Sequence, residues 1–387
     1  MNILLLLRAL GFGGTERQVI ELAHGLARRG HHVGVATFYA GGPFEDAFAG
    51  PNPRRIVIGK RDRWDVVGFG WRLVRSVAAE RPDVVYSFLP VPNLVASALR
   101  LTLRHPPAVV WGLRGTPLDR ARYDRLERAA IRLERLTSRL PDLVIANSQQ
   151  GAAWARGPEF GARKTIAIAN GIDAARFRPA IAGEREAARG ELGCPRGALV
   201  VAVVARLDPM KDHRTFLRAL AIAGRGMPDL TALIVGDGPL LPRLKAEAAA
   251  LGVADRVIWA PARREVTRIY HAADVLCLPS AFGEGFPNVV GEAMACGLPC
   301  IVTAVGDAAE LAGDTGRVVS PRNPQEMARA ILDFVKPLRE TRPYNSAARQ
   351  RIVENFSVET MISATERALL EVVAGRGNVV RVTSAEA

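Results

Sequence analysis

Short runs of unbroken apolar residues recur along this chain, and segments of helical periodicity separate them. Residues 2–7 form the first run. Val19, Leu22, Ala23 and Leu26 follow at helical spacing as far as Arg28, Gly30 ends that helix, and 32–37 form the next run. Strand, helix, strand at this spacing is a βαβ unit. Strands that are apolar throughout, rather than alternating, belong to parallel sheets covered on both faces. Further runs lie at 82–88, 109–113, 142–148 and 165–169, and then at 198–204, 230–235, 256–259, 274–279, 300–303 and 316–319. A chain of 387 residues can bury two cores. The expected class is α/β, with two doubly wound Rossmann-like domains. Residues 179–197 are polar, rich in Ala and Glu, and bracketed by Pro179 and Pro195. They read as a linker between an N-terminal domain, 1–178, and a C-terminal domain, 198–355. The tail 376–387 reads as disordered.

No apolar run reaches the roughly 18 residues needed to span a bilayer. The first residues lack the order of a signal peptide, because the basic residue follows the apolar run. Cys194, Cys277, Cys296 and Cys300 have no metal-ligand spacing and read as reduced core residues, which points to the cytoplasm. Lys and Arg number 52 against 39 Asp and Glu, a net charge of +13. Such a surface suits anionic lipid, nucleic acid or phosphorylated ligands. No nucleic-acid module is recognisable and aromatics are sparse, so nucleic acid is not an expected partner. Residues 119–140 have amphipathic helical periodicity, with Leu126, Ala130, Leu133 and Leu136 on a stripe amid arginines. That helix either packs on its domain with a charged outer face or touches anionic lipid, a peripheral contact on the inner face of the plasma membrane.

The richest stretch is 281–300, AFGEGFPNVVGEAMACGLPC. A strand enters a glycine turn, and a helix follows, capped by Asn288 or carrying Pro287 at its first position. Gly297 can end it and Pro299 cannot continue it. The helix start supplies amides and a positive dipole end that suit a phosphate. Glu284 stands in the turn and Glu292 in the helix. One carboxylate can hold hydroxyls of a sugar and the other those of a ribose. Arg206 and Lys211 stand five apart across another strand-to-helix turn, where both cations can surround one diphosphate.

The E-x7-E setting in EGFPNVVGEAMACGLP resembles the signature of glycosyltransferase family 4, the group 1 retaining glycosyltransferases of GT-B fold. The resemblance covers about residues 1–373. It implies two Rossmann-like domains facing across a cleft, with a last helix, near 356–373, that crosses back to the first domain. It implies that Arg206 and Lys211 bind the diphosphate, that Glu284 grips donor sugar hydroxyls and that Glu292 holds the ribose. Gly285, Phe286, Pro287, Asn288 and Val289 then line the donor site. Gly238, in the Gly236-Asp237-Gly238-Pro239 turn, resembles the family's GxGP, and the base is placed near Ala262 and Arg263. Gly13 and Gly14, in GGTERQ, resemble the N-terminal donor and acceptor loop; on spacing alone they are also compatible with a plain tight turn. Asn170-Gly171-Ile172-Asp173 resembles the NGxD segment, and Gly306 with Glu310 the G…E segment. Many relatives have a donor-sugar histidine near the end of the 82–88 strand; this chain has Tyr86, Ser87 and Phe88. Ser87 and Asn93 are the candidate replacements and, with Arg114, the candidate acceptor contacts. Arg114, at the next strand end, is either a phosphate contact for donor or acceptor or a solvated arginine.

No Asp-x-Asp occurs. With that absence, the resemblance implies a retaining, metal-independent hexosyltransferase without cofactor. It takes an NDP-sugar as co-substrate, first of all a UDP-sugar, and a saccharide or lipid-linked acceptor of bacterial polysaccharide or glycolipid synthesis. The competing readings are a UDP-sugar epimerase of the same fold, which lacks the E-x7-E setting, and a non-catalytic sugar-nucleotide-binding partner.

Overall fold

The computed structural model describes residues 1–11, 13–115, 125–337 and 345–383. It divides into two compact units, 1–171 with 358–387 and 172–357. The first holds a seven-stranded parallel sheet of β1 (Asn2–Leu7), β2 (His32–Thr37), β3 (Arg54–Val57), β4 (Val84–Phe88), β5 (Ala108–Leu113), β6 (Leu143–Ala146) and β7 (Thr165–Ala167). Its order is β3-β2-β1-β4-β5-β6-β7. The second holds β8 (Leu199–Val204), β9 (Leu230–Val235), β10 (Val257–Ala260), β11 (Val275–Leu278), β12 (Cys300–Thr303) and β13 (Arg317–Val319), in the order β10-β9-β8-β11-β12-β13. All pairings are parallel. Both sheets are doubly wound and reverse their order beside the first strand, between β1 and β4 and between β8 and β11. Ligands of such sheets bind beyond the carboxyl ends of the strands at that reversal.

The apolar runs are buried as parallel strands require. Leu4, Leu6, Val85, Val109 and Trp111 pack on one face of the first sheet, and Leu5, Leu22, Tyr86, Val110 and Leu369 on the other. In the second, Val201, Val203, Phe216, Leu220, Ile234 and Ile331 share one core. Cys277, Cys296 and Cys300 are buried free thiols and Cys194 is half-buried; burial pushes all four up from the ordinary thiol range. Among the described residues, no helix is long and apolar enough to cross a membrane.

Three expectations about organisation change. Residues 179–197 are not a linker: the helix Glu184–Glu191 packs within the second unit. Its Arg185 and Arg189 bind the buried Asp274 at 2.6 and 2.7 Å, and Asp274 also accepts from the Val200 amide at 2.8 Å. The charges that make this segment read as solvated are those that fasten it. The boundary falls at 171/172 rather than 178, because Ile172 N donates to Phe356 O at 2.8 Å and Arg349 bonds the carbonyls of Ala174 and Phe177 at 3.0 Å each. The last helix runs Val358–Thr383, past the expected start of a disordered tail; residues 384–387 lie outside those described. It belongs to the first unit, where Met361, Ile362, Leu369 and Val372 enter the core. Gly25 permits this approach: a Cβ there would stand 2.0 Å from Ile362 Cδ1.

Candidate donor site in the second unit

Two turns leave the second sheet where its order reverses. The turn after β8 carries Arg206 and Lys211, and the turn after β11 carries Ser280 and Glu284. A backbone hydrogen bond, Ala281 N to Met210 O at 2.8 Å, ties them. Lys211 Nζ pairs with Glu284 Oε1, and Ser280 Oγ donates to the same oxygen. Glu284 and Ser280 are buried. Arg206 lies on the outer side of its turn, with a side chain 71% exposed and Nε 3.8 Å from Asp208. That exposure leaves the guanidinium accessible to a ligand.

The turn that delivers Lys211 is built from local caps. Asp208, buried, accepts from Met210 N at 3.0 Å; Asp212, at φ 40°, accepts from Thr215 Oγ1 at 2.6 Å and caps the helix His213–Ala223. His213, at the start of that helix, is buried, and neither ring nitrogen has a hydrogen-bonding partner among the described residues. Burial lowers its pKa to about 4, so the ring is neutral beside Lys211.

The Glu284 turn rests on Gly306, whose φ is +60°. A Cβ at Gly306 would stand 2.5 Å from Glu284 O, and Asp307 N donates to Gly285 O at 3.1 Å. Thr303 Oγ1 donates to Ser280 O at 2.6 Å. The helix Asn288–Ala295 follows with Pro287 at the cap position and no side-chain cap. Neither expected start is realised: Asn288 is the first helical residue, and Pro287, which lacks an amide hydrogen, precedes it. Gly285, Phe286 and Pro287 are buried, Phe286 with its ring 5.5 Å from that of Phe356, whereas Asn288 and Val289 are half-exposed. Phe286 is thus a packing residue. Glu292 is buried on the next turn and accepts from Tyr270 OH at 2.6 Å.

Gly236 and Gly238 have a packing reason. Cβ atoms there would meet Ala205 O at 2.0 Å and Leu207 O at 2.3 Å, so the turn after β9 lies directly against the turn after β8. Asp237 Oδ2 accepts from Ala262 N at 2.9 Å, fixing the segment expected to meet a base. Arg263 is bound to Glu191 at 2.5 Å. Ser280, Tyr270 and Thr303 escaped the sequence reading, since a lone hydroxyl residue carries no pattern.

In the first unit Gly13 caps the helix Gly14–Arg28 with extended backbone. The Glu16 carboxylate lies over it, 2.1 Å from where a Cβ would stand, and burial raises the pKa of Glu16. Ser87 and Asn93 are corrected as acceptor contacts: both are fully buried. Ser87 Oγ donates to Asn93 Oδ1 at 2.8 Å, and Asn93 Nδ2 to Glu134 Oε1 at 2.7 Å. Burial raises Glu134 to about 7. Arg114 is not a solvated arginine. It bonds Asn170 Oδ1 at 2.9 Å and Tyr86 OH at 3.1 Å and lies 4.8 Å from the Phe88 ring. The amphipathic helix is described over Arg125–Leu136, with 116–124 outside the described residues. Leu126, Leu133 and Leu136 are exposed and Glu134 is turned inward, the reverse of a stripe packed on a core.

A profile described as Glycosyl transferases group 1 matches residues 198–336, and one described as Glycosyltransferase Family 4 matches 12–176. The chain is 30% identical over 378 residues to a D-inositol 3-phosphate glycosyltransferase of Rhodococcus opacus (strain B4), covering 90% of this chain and 83% of that protein. Its fold is similar to Anabaena HepE in complex with UDP-glucose, with TM-score 0.82, 25% identity and coverage of 95% and 99%. WaaG, a glycosyltransferase involved in lipopolysaccharide biosynthesis, shares the fold at TM-score 0.72 and 19% identity, over 96% of this chain and 99% of that one. Two doubly wound units, a paired Lys211 and Glu284 at a sheet reversal and these matches lead to one assignment: the chain belongs to the family 4, group 1 glycosyltransferases, enzymes of GT-B fold.

Proposed function

We propose that the second unit binds a UDP-sugar and that the enzyme transfers the sugar to a saccharide or lipid-linked acceptor with retention of configuration. The observation that carries this is the convergence of Lys211, Ser280 and Glu284 at the sheet reversal, with exposed Arg206 on the same turn as Lys211. The HepE structure with UDP-glucose supports the choice of donor. An ammonium has three N–H donors, so Lys211 can hold Glu284 and still reach a phosphate oxygen. Arg206 then closes on the diphosphate as a planar fork. Together with the start of the helix Asn288–Ala295 they stabilise the negative charge that grows on the leaving nucleotide. Glu284 orients donor sugar hydroxyls and Glu292 the ribose. Asn288 and Val289 line the donor site; Gly13 and Gly14 supply a glycine loop for donor and acceptor; Arg114 is the remaining acceptor-side candidate.

In this mechanism the diphosphate receives its positive charge from side chains and needs no metal ion or cofactor. The leaving phosphate takes the proton of the acceptor hydroxyl as the new glycosidic bond forms on the same face. The leucine-bearing helix Arg125–Leu136 supplies a peripheral membrane contact on the cytoplasmic side. A thermal-shift screen of nucleotide sugars tests the donor: native-state binding raises the melting temperature. UDP-sugars are expected to raise it and Arg206→Ser to abolish the rise; no response to any nucleotide sugar overturns the reading.

A further inference from the structure

A cavity of about 680 Å³ opens at the amino edge of the first sheet, beneath β4 and β5. Its place follows from the winding of the chain. The helices Val67–Glu80 and Pro90–Thr102 pack on one face of that sheet, and Val358–Thr383 packs on the other. Two short turns lead back into the strands, Arg81-Pro82-Asp83 into β4 and 103–107 into β5. Ala108 N donates to Asp83 O at 2.9 Å and Asp83 N to Asn2 O at 2.8 Å, which fixes both turns on the sheet edge. A hollow is left where these turns meet the last helix. Val77, Leu103, Pro107 and Val373 give it apolar walls. Arg81, Arg104, His105 and Arg376 line it too, with Asp83 as the one acid among its described lining residues.

The bonds these groups already make decide what they can still hold. Asp83 Oδ2 accepts from Asn2 N at 2.7 Å. Arg376 Nη1 donates to Pro106 O at 3.1 Å, and its Nε lies 3.4 Å from Asp142 Oδ1, an oxygen that Arg100 also holds. The guanidinium groups of Arg81 and Arg104 are exposed and have no hydrogen bond or ion pair among the described residues. A lone surface arginine is solvated and needs no partner. Three arginines from three separate elements, lining one hollow with apolar walls, describe a receptor for an anion joined to an apolar body. One guanidinium fork fills both oxygens of a carboxylate, whereas a phosphate has oxygens for two forks. The volume lies within the roughly 300–1,000 Å³ of small-molecule sites, more than a bare phosphate ion fills. We propose that this hollow binds an organic phosphate, a monoester whose apolar body rests on Val77, Leu103 and Val373. Arg81 and Arg104 grip its phosphate and Arg376 flanks them. No residue of the donor site lines the hollow, so its failure leaves the transferase reading standing.

The full chain is titrated calorimetrically with 1-naphthyl phosphate, and separately with inorganic phosphate and with 1-naphthol. The comparison proteins are Arg81→Asn/Arg104→Gln and, altered in the donor turn, Arg206→Ser. Asn suits the left-handed backbone at position 81, where φ is 44°, and both replaced side chains are exposed, so the double variant is expected to keep its melting temperature. Wild type and Arg206→Ser are expected to bind the ester saturably and alike, and the double variant about tenfold more weakly. Inorganic phosphate and 1-naphthol are each expected to bind wild type at least about tenfold more weakly than the ester. Should the double variant melt lower, wild type decides by arginine modification. The ester is then expected to protect Arg81 and Arg104 from phenylglyoxal, read by mass spectrometry of their peptides. No saturable binding, equal affinity in a stable double variant, or modification that the ester leaves unchanged would each overturn the site. So would binding lost in Arg206→Ser, which would place the ester in the donor turn, or either comparison ligand binding as tightly as the ester.

Discussion

The hydroxyl of Tyr270 donates to Oε2 of Glu292 across 2.6 Å, both side chains buried. Tyr270 comes from the helix Thr267–Ala272, before β11, and Glu292 from the helix after it. The bond helps to orient the carboxylate about its terminal torsions. If Glu292 holds the ribose, Tyr270→Phe should raise the KM for the donor about three- to tenfold and leave kcat nearly unchanged. Steady-state kinetics with varied donor check this; a fall in kcat at constant KM would move Tyr270 out of that role.

Glu284 is predicted to be indispensable for transfer. Glu284→Ala removes the acceptor oxygen shared by Lys211 and Ser280 and should reduce turnover by at least about a thousandfold. The variant leaves a partly buried ammonium unpaired, at a cost of roughly 1–3 kcal/mol. Circular dichroism should therefore show a folded chain with a lowered melting temperature. Full activity would remove Glu284 from the chemistry.

Gly306 is predicted to tolerate no side chain. Its φ of +60° and a Cβ position 2.5 Å from Glu284 O combine backbone strain with a clash against the turn itself. Gly306→Ala should cost roughly 1–3 kcal/mol by thermal or denaturant unfolding. Activity should fall further than stability explains, because the displaced segment carries Glu284.

Glu134 should make stability pH-dependent. Its carboxyl is raised from 4.5 to about 7, first by burial and in opposition to the Asn93 hydrogen bond. The folded state therefore keeps its proton where the unfolded state has lost it. The stabilisation is complete below pH 4.5 and disappears as pH rises through about 7. Glu134→Gln should flatten this loss, worth up to roughly 3 kcal/mol. Melting temperatures of both proteins between pH 4.5 and 8 test it; parallel curves would show that the pair does not titrate there.

Activity is expected to persist in excess chelator, since Arg206 and Lys211 are proposed to carry the charge of the leaving diphosphate. Rates measured with and without chelator, at saturating donor, check this. Strict dependence on an added divalent ion would refute the metal-free mechanism.

Apolar runs such as 198–204 and 230–235 announced a parallel sheet because a strand covered on both faces has no polar alternation to blur it. The edge strand Arg54–Val57 was missed: half-exposed and opening on two arginines, it carries little apolar signal. The four candidates Arg206, Lys211, Glu284 and Glu292 were readable because turn and helix place them locally, within windows of six and nine residues. Ser87 and Asn93 were misjudged for the opposite reason. A strand-end serine and a helix asparagine look available to a ligand until Glu134, some forty residues later, closes on them.

Alone, the sequence determined the two doubly wound cores and put Arg206 and Lys211 on one strand-to-helix turn and Glu284 and Glu292 on the next such turn and its helix, since these depend on periodicity and on short-range turn geometry. Tertiary structure decided which polar groups are already satisfied. It turned a charged linker into a helix pinned on Asp274, buried Ser87 and Asn93, joined Lys211 to Glu284 and left Trp64 and Trp71 in the open. Burial and pairing are properties of neighbours distant in the chain, and no local pattern encodes them.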